Sequence, residues 1–199
     1  WLDWDNYHYV PSYDGWRWGM LEWDKKINPL ASAIKCSKKV TTVSWSYLEE
    51  LKVSANGLEN LFEYEKGKCV GILNGIDDEV WNPSTDEFIP LNFNDSTVTD
   101  GKLASKKELC NRFQLDVEKP LIVFIGRLVG EKAADILPEA IRSSIYEFNG
   151  NVNFLVLGSG EPEVEKELDW LKLQFPGYVN IFIGYSEPLS HLMYAGADF

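Results

Sequence analysis

Leu121-Ile122-Val123-Phe124-Ile125-Gly126-Arg127-Leu128-Val129-Gly130-Glu131-Lys132 decides the fold of this chain. Five successive apolar residues read as a strand covered on both faces, as strands of parallel sheets are. The chain then passes two glycines and delivers Arg127 and, five residues later, Lys132, where a helix is expected to begin. In open α/β sheets ligands sit beyond the carboxyl ends of the strands, and helix N-termini favour anions. Two cations there suit a diphosphate. Taken alone, an arginine and a lysine so spaced are better read as solvated loop charges; the surrounding sequence turns the reading.

Downstream of Gly101 the pattern is regular. Helices are expected at about 102–114, 132–149, 161–174 and 187–194, and strands at 120–125, 152–157 and 178–183. Strands alternating with helices make a parallel sheet with right-handed crossovers. Two of its β-to-α loops, 126–131 and 158–160, are glycine-rich and are expected to open helices, as phosphate and ribose sites require. Neither matches a G-x4-G-K-[ST] phosphate loop or a G-x-G-x-x-G dinucleotide fingerprint.

The upstream half is less periodic. Trp4, Tyr7, Tyr9, Tyr13, Trp16, Trp18 and Trp23 crowd residues 1–30; such aromatics fill cores or, less commonly, stack sugar rings. A short helix is expected at Pro29–Ile34, a strand at Lys39–Val43 and a helix at about Ser46–Ala55, capped by Ser44 or Ser46, with Glu49 completing a capping box on Ser46. Cys69–Leu73 reads as a strand ending in Asn74-Gly75-Ile76-Asp77, where Asn74 is either a turn residue or an amide aimed into a cleft. Asn82-Pro83 and residues 90–100 form the best linker candidate.

Composition narrows the partners. The 199 residues carry a formal net charge of −12, which argues against nucleic acid and anionic membrane surfaces. Local cations still suffice for a small anionic ligand. Cys36, Cys69 and Cys110 are odd in number and lack C-x2-C pairing, which fits reduced thiols better than a disulfide framework or a zinc site. No apolar run approaches the roughly 18 residues of a membrane span. The opening at Trp1 and the close on an apolar run lead us to expect an internal piece of a longer protein.

Several blocks then form an ordered set. They are Thr42–Leu51, Gly71–Asp77, Trp81-Asn82-Pro83, Phe124–Leu128, Leu157–Pro162, Ile183–Glu187 and Tyr194–Phe199. In this order and spacing the chain, from about residue 27, closely resembles the starch synthase and bacterial glycogen synthase family. The resemblance implies an α/β fold of GT-B type with parts of two Rossmann-like domains. Residues 1–95 would end the N-terminal, acceptor-side domain; 96–199 would be a linker and the first half of the donor nucleotide-binding domain. It implies a retaining hexosyltransferase moving glucose from ADP-glucose or UDP-glucose, the former favoured, to the non-reducing end of an α-1,4-glucan. The nucleotide sugar is a substrate; no cofactor and no obligatory metal are implied. The expected setting is cytoplasm or plastid stroma. A fragment of this kind is expected to be inactive, or nearly so, by itself.

By the same resemblance Arg127 and Lys132 grip the donor diphosphate and stabilise the departing nucleoside diphosphate, where preorganised cations lower the barrier. Asn74 lies near the sugar-phosphate end, Gly126 and Gly158 belong to the donor loops, and Tyr185 stacks on the base. Departures exist. Ala133 stands where the family has Gly, and Trp45 where a helix-initiating proline is common. The family's Lys-Thr-Gly-Gly-Leu loop, cleft histidine and Glu-Pro-Cys-Gly-Leu segment have no counterpart within residues 1–199. His8 and His191 read as surface or packing residues instead. Two alternatives stay open: a sucrose-synthase-type transferase, against which the Trp-Asn-Pro block speaks, and a non-catalytic module that binds nucleotide sugar or glucan.

Overall fold

The computed structural model describes residues 19–199 and divides at Ile76/Asp77 into two compact units. The aromatics from Trp4 to Trp18, and His8, lie outside the described residues.

The first unit opens with an antiparallel hairpin, Glu22–Trp23 (β1) and Lys26–Ile27 (β2). Its two turn residues, Asp24 and Lys25, have φ of 51° and 59°, the sense of twist that suits a two-residue hairpin. Helix α1 (Pro29–Cys36) is capped by Asn28, whose side chain accepts from the Ala31 N–H at 3.0 Å, with Pro29 in the first turn. Val40–Thr42 (β3) leads into α2 (Trp45–Leu51) and α3 (Glu59–Tyr64), and Cys69–Gly71 (β4) returns parallel to β3. Ala31, Ile34, Leu48, Leu61, Phe62 and Cys69 share the core.

Of the two candidate caps for α2, Ser44 takes the place. Its backbone is extended and its hydroxyl accepts from the Tyr47 N–H at 2.9 Å. With the helix starting at Trp45, Ser46 is already helical, so the capping box on Ser46 does not form; Glu49 instead meets Lys52 at 2.6 Å.

The second unit is a three-layer sandwich. After α4 (Val98–Phe113) come β5 (Leu121–Ile125), α5 (Leu137–Glu147), β6 (Asn153–Gly158), α6 (Pro162–Gln174), β7 (Val179–Ile183) and α7 (Glu187–Gly196). The strands pair in parallel, in the order β5-β6-β7, with Ile125 opposite Leu157 and Gly158 opposite Ile183. Alternation along β6 assigns the faces. Phe154 and Val156 pack with Ile141 and Ile145 of α5 and Leu168 and Leu171 of α6. Leu155 and Leu157 meet Leu109 and Phe113 of α4 and Leu189 and Met193 of α7. Every residue of β6 is buried, so its run of apolar residues follows from having a helical layer on both sides.

Two boundaries differ from expectation. The division at residue 76 lies upstream of the 95/96 boundary, because residues 77–97 pack on the second unit: Trp81 stacks on His191, Ile89 is buried, and Phe93 lies so close to Gly101 that a Cβ there would meet its ring at 2.3 Å. Helix α4 accordingly starts at Val98, earlier than 102. The second difference concerns Lys132, which does not start a helix. Gly130–Lys132 is a single 3-10 turn, ended by Ala133 in the left-handed region (φ 54°), and α5 begins only at Leu137 with Pro138 in its first turn. No helix among the described residues is long and apolar enough to cross a membrane.

Candidate active site

The carboxyl ends of β5, β6 and β7 converge on one cleft of about 340 Å³. Backbone hydrogen bonds zip their exit loops together. Gly126 N–H donates to Leu157 O at 3.0 Å, Leu128 N–H to Ser159 O at 2.9 Å, Glu161 N–H to Leu128 O at 2.8 Å, and Gly184 N–H to Gly158 O at 2.8 Å. This closeness explains Gly158: a Cβ at that position would sit 2.1 Å from Gly126 O, far inside van der Waals contact. The glycine lets one loop lie against the next, and the cleft floor is backbone.

Four of the residues singled out from the sequence, Gly126, Arg127, Gly158 and Tyr185, line this cleft. Tyr185 is 86% exposed and its hydroxyl donates to Glu187 Oε2 at 3.3 Å, leaving its ring face presented to solvent. Ser186 caps α7, its hydroxyl accepting from the Leu189 N–H at 3.3 Å. Lys132 is on the same loop as Arg127, exposed, but does not line the cleft. Asn74 lies in the first unit, exposed on the turn after β4.

Carboxylates occupy the donors that an anion would want. The Arg127 guanidinium pairs with the Glu131 carboxylate, both side chains about two-thirds exposed (67% and 63%). Gly160 N–H, just ahead of α6, donates to Glu165 Oε1 at 2.7 Å, and Gly130 N–H to Glu161 Oε1 at 3.2 Å. In loop 158–160 the Gly160 N–H is thus already taken by a glutamate carboxylate. An exposed ion pair is worth at most about 1 kcal/mol, whereas hydrogen bonds from a cation to a phosphate are worth roughly 1.5–3 kcal/mol. The Glu131 carboxylate therefore holds the exposed Arg127 guanidinium only weakly.

The sequence reading missed Trp81 and Tyr194. Both line the cleft, and their rings meet edge to face at 5.6 Å between centroids. Each sits in a block already singled out, Trp-Asn-Pro and Tyr-Ala-Gly-Ala-Asp-Phe, but nothing local says that residue 81 reaches a helix more than a hundred residues later. His191 is buried, a packing residue under Trp81. Among the described residues no group of three His, Cys, Asp or Glu is placed to hold a metal ion. Burial pushes the Cys69 and Cys110 thiols up, away from the reactive thiolate form.

The starch synthase catalytic domain model matches residues 3–64. A glycogen synthase of Flavobacterium johnsoniae is 47% identical over all 199 residues, which cover 42% of its own length. Granule-bound starch synthase 1 of Arabidopsis thaliana is 40% identical over 179 residues, 88% of this chain and 29% of that protein. Among solved structures, the catalytic domain of Starch Synthase IV from Arabidopsis thaliana bound to ADP and acarbose aligns with a TM-score of 0.77 at 34% identity, covering 87% of this chain and 36% of the other. The chain belongs to the starch synthase and bacterial glycogen synthase family. It spans about two fifths of the length of the curated glycogen synthases first matched, 42% and 39%. Its mixed α/β architecture with parallel sheets agrees with the GT-B fold of that family.

Proposed function

We propose that the protein to which these residues belong is a retaining glucosyltransferase that extends an α-1,4-glucan from a nucleotide-sugar donor, with ADP-glucose as the favoured donor. The single observation that carries the reading is the cleft itself. It gathers Arg127, two backbone loops in contact and the exposed Tyr185 ring at the carboxyl ends of three parallel strands. The related Starch Synthase IV binds ADP and acarbose.

On this reading the diphosphate draws Arg127 away from Glu131 and takes the guanidinium as its counter-ion. The glucose C1–O bond to the β-phosphate breaks, the electron pair leaves with the nucleoside diphosphate, and C1 bonds to the acceptor hydroxyl oxygen, whose proton passes to the departing phosphate oxygen. Negative charge grows on the leaving phosphate, so a fixed cation there helps the transition state more than the ground state. Lys132, from the neighbouring turn, adds a second cation to the same group. Tyr185 stacks on the base, since a base face is apolar and polarisable.

In the whole protein, Arg127→Ala is expected to lower glucose incorporation from ADP-glucose into glycogen by one to two decades, about 1.5–3 kcal/mol. Unchanged incorporation would refute the assignment. Nucleotide binding with no incorporation by the whole wild-type protein would favour a non-catalytic binding module.

A further inference from the structure

The donor cleft has a wall that reaches it from elsewhere in the chain. Trp81 is not part of the loops leaving β5, β6 or β7; it arrives on the segment between Asp77 and Thr97 and lines the same cleft as Tyr185. Its indole lies flat on the His191 imidazole, 3.7 Å between centroids and 12° between planes. The imidazole in turn is fixed by Nδ1–H donating to Asp86 Oδ2 at 2.7 Å, with side chains 0% and 7% exposed. Phe88 closes against the imidazole edge-on at 5.0 Å.

This arrangement is costly in one respect. His191 Nε2 is buried with no hydrogen-bond partner among the described residues, and an apolar side chain of that size would fill the place without the loss. What the imidazole supplies and an aliphatic residue would not is a flat platform whose plane is set by a buried carboxylate. Two residues five apart on one segment, Trp81 and Asp86, thus grip one ring on α7 from face and edge. The ring they fix holds Trp81 at the cleft, where Tyr194 also braces it edge-on.

We propose that Trp81 is a donor-binding residue and that His191 and Asp86 are positioning residues acting through it. Trp81 supplies an apolar wall for the nucleoside or glucosyl part of the donor, distinct from the Tyr185 ring. This inference rests on the donor-cleft reading. In the whole protein, calorimetry with ADP is expected to give a dissociation constant roughly tenfold higher for Trp81→Ala, with Trp81→Phe recovering to within about threefold of wild type. His191 does not line the cleft, yet His191→Ala is expected to raise the donor KM severalfold while kcat at saturating donor changes by less than about twofold. Asp86→Asn keeps an acceptor for the imidazole N–H and is expected to lose less affinity than Asp86→Leu. Wild-type ADP affinity in Trp81→Ala overturns the inference, as do equal losses in the two Asp86 variants. If wild-type protein itself fails to bind ADP, the donor-cleft reading fails first, and the two failures are told apart.

Discussion

In the second unit β6 is buried at every residue and has a parallel neighbour on each side, whereas in the first unit β3, among the described residues, pairs only with β4 and leaves Thr41 exposed. The same contrast holds at the strand ends. β5, β6 and β7 release loops that bond to one another and enclose a cleft, while β4 runs into Ile72, Leu73 and Asn74, all exposed. A site needs a floor whose backbone polar groups are already satisfied before its side chains can be held in register. The second unit provides that floor within its own residues, and most of the residues singled out from the sequence stand on it.

Core substitutions should expose the contrast most strongly. Leu155, fully buried at the centre of β6, is expected to cost about 3–4 kcal/mol on replacement by Ala, and the half-buried Val40 of β3 about 1 kcal/mol. Urea denaturation of the whole protein measures both, and equal costs would erase the distinction between the two sheets.

Acid should act on the second unit through Asp198. Burial alone would raise its carboxyl, but the hydrogen bond from Lys106, the Leu121 N–H at 2.7 Å and the charges of Lys106 and Lys102 outweigh that and hold it below the ordinary value. Because the folded value is depressed, the contribution is complete above the unfolded carboxylate range and is lost as pH falls through the folded value. Melting temperatures followed from pH 6 downward should drop at the acid end, and Asp198→Asn should flatten that drop. An unchanged slope would show that this tie between the edge of β5 and the end of α7 carries no weight.

The smallest effect is local to the donor loop. Ala133 has φ of 54°, a region that costs a side-chain-bearing residue and not glycine. Ala133→Gly is therefore expected to stabilise the protein by about 0.5–1 kcal/mol, seen as a raised urea midpoint. A lowered midpoint would mean that the turn is not held in this conformation. The departure from the family's glycine thus reads as a backbone matter; no close approach to phosphate is needed to explain it.

How much of this was legible beforehand follows from where the information lies. The strands of the second unit are continuous apolar runs, and burial on both faces writes itself directly into such runs. Caps and turns that depend on one side chain, such as Pro162 at the head of α6, were equally readable. The β1–β2 hairpin was not, since Asp24-Lys25 adopts positive φ without the glycine that usually announces it. The start of α5 was missed because Ala133, a good helix former, sits in a left-handed turn and breaks the expected helix from 132. Trp81 meets His191 and Tyr194 of α7, and Asp86 meets His191 across 105 residues; pairing at that range leaves no trace in local pattern.

The central claim is that the loops leaving β5, β6 and β7 hold the nucleotide. Hydrogen–deuterium exchange of the whole protein with and without saturating ADP tests it most directly. The expected result is protection concentrated in residues 126–131, 158–161 and 184–190. Unchanged exchange in all three loops, with ADP bound, would contradict it.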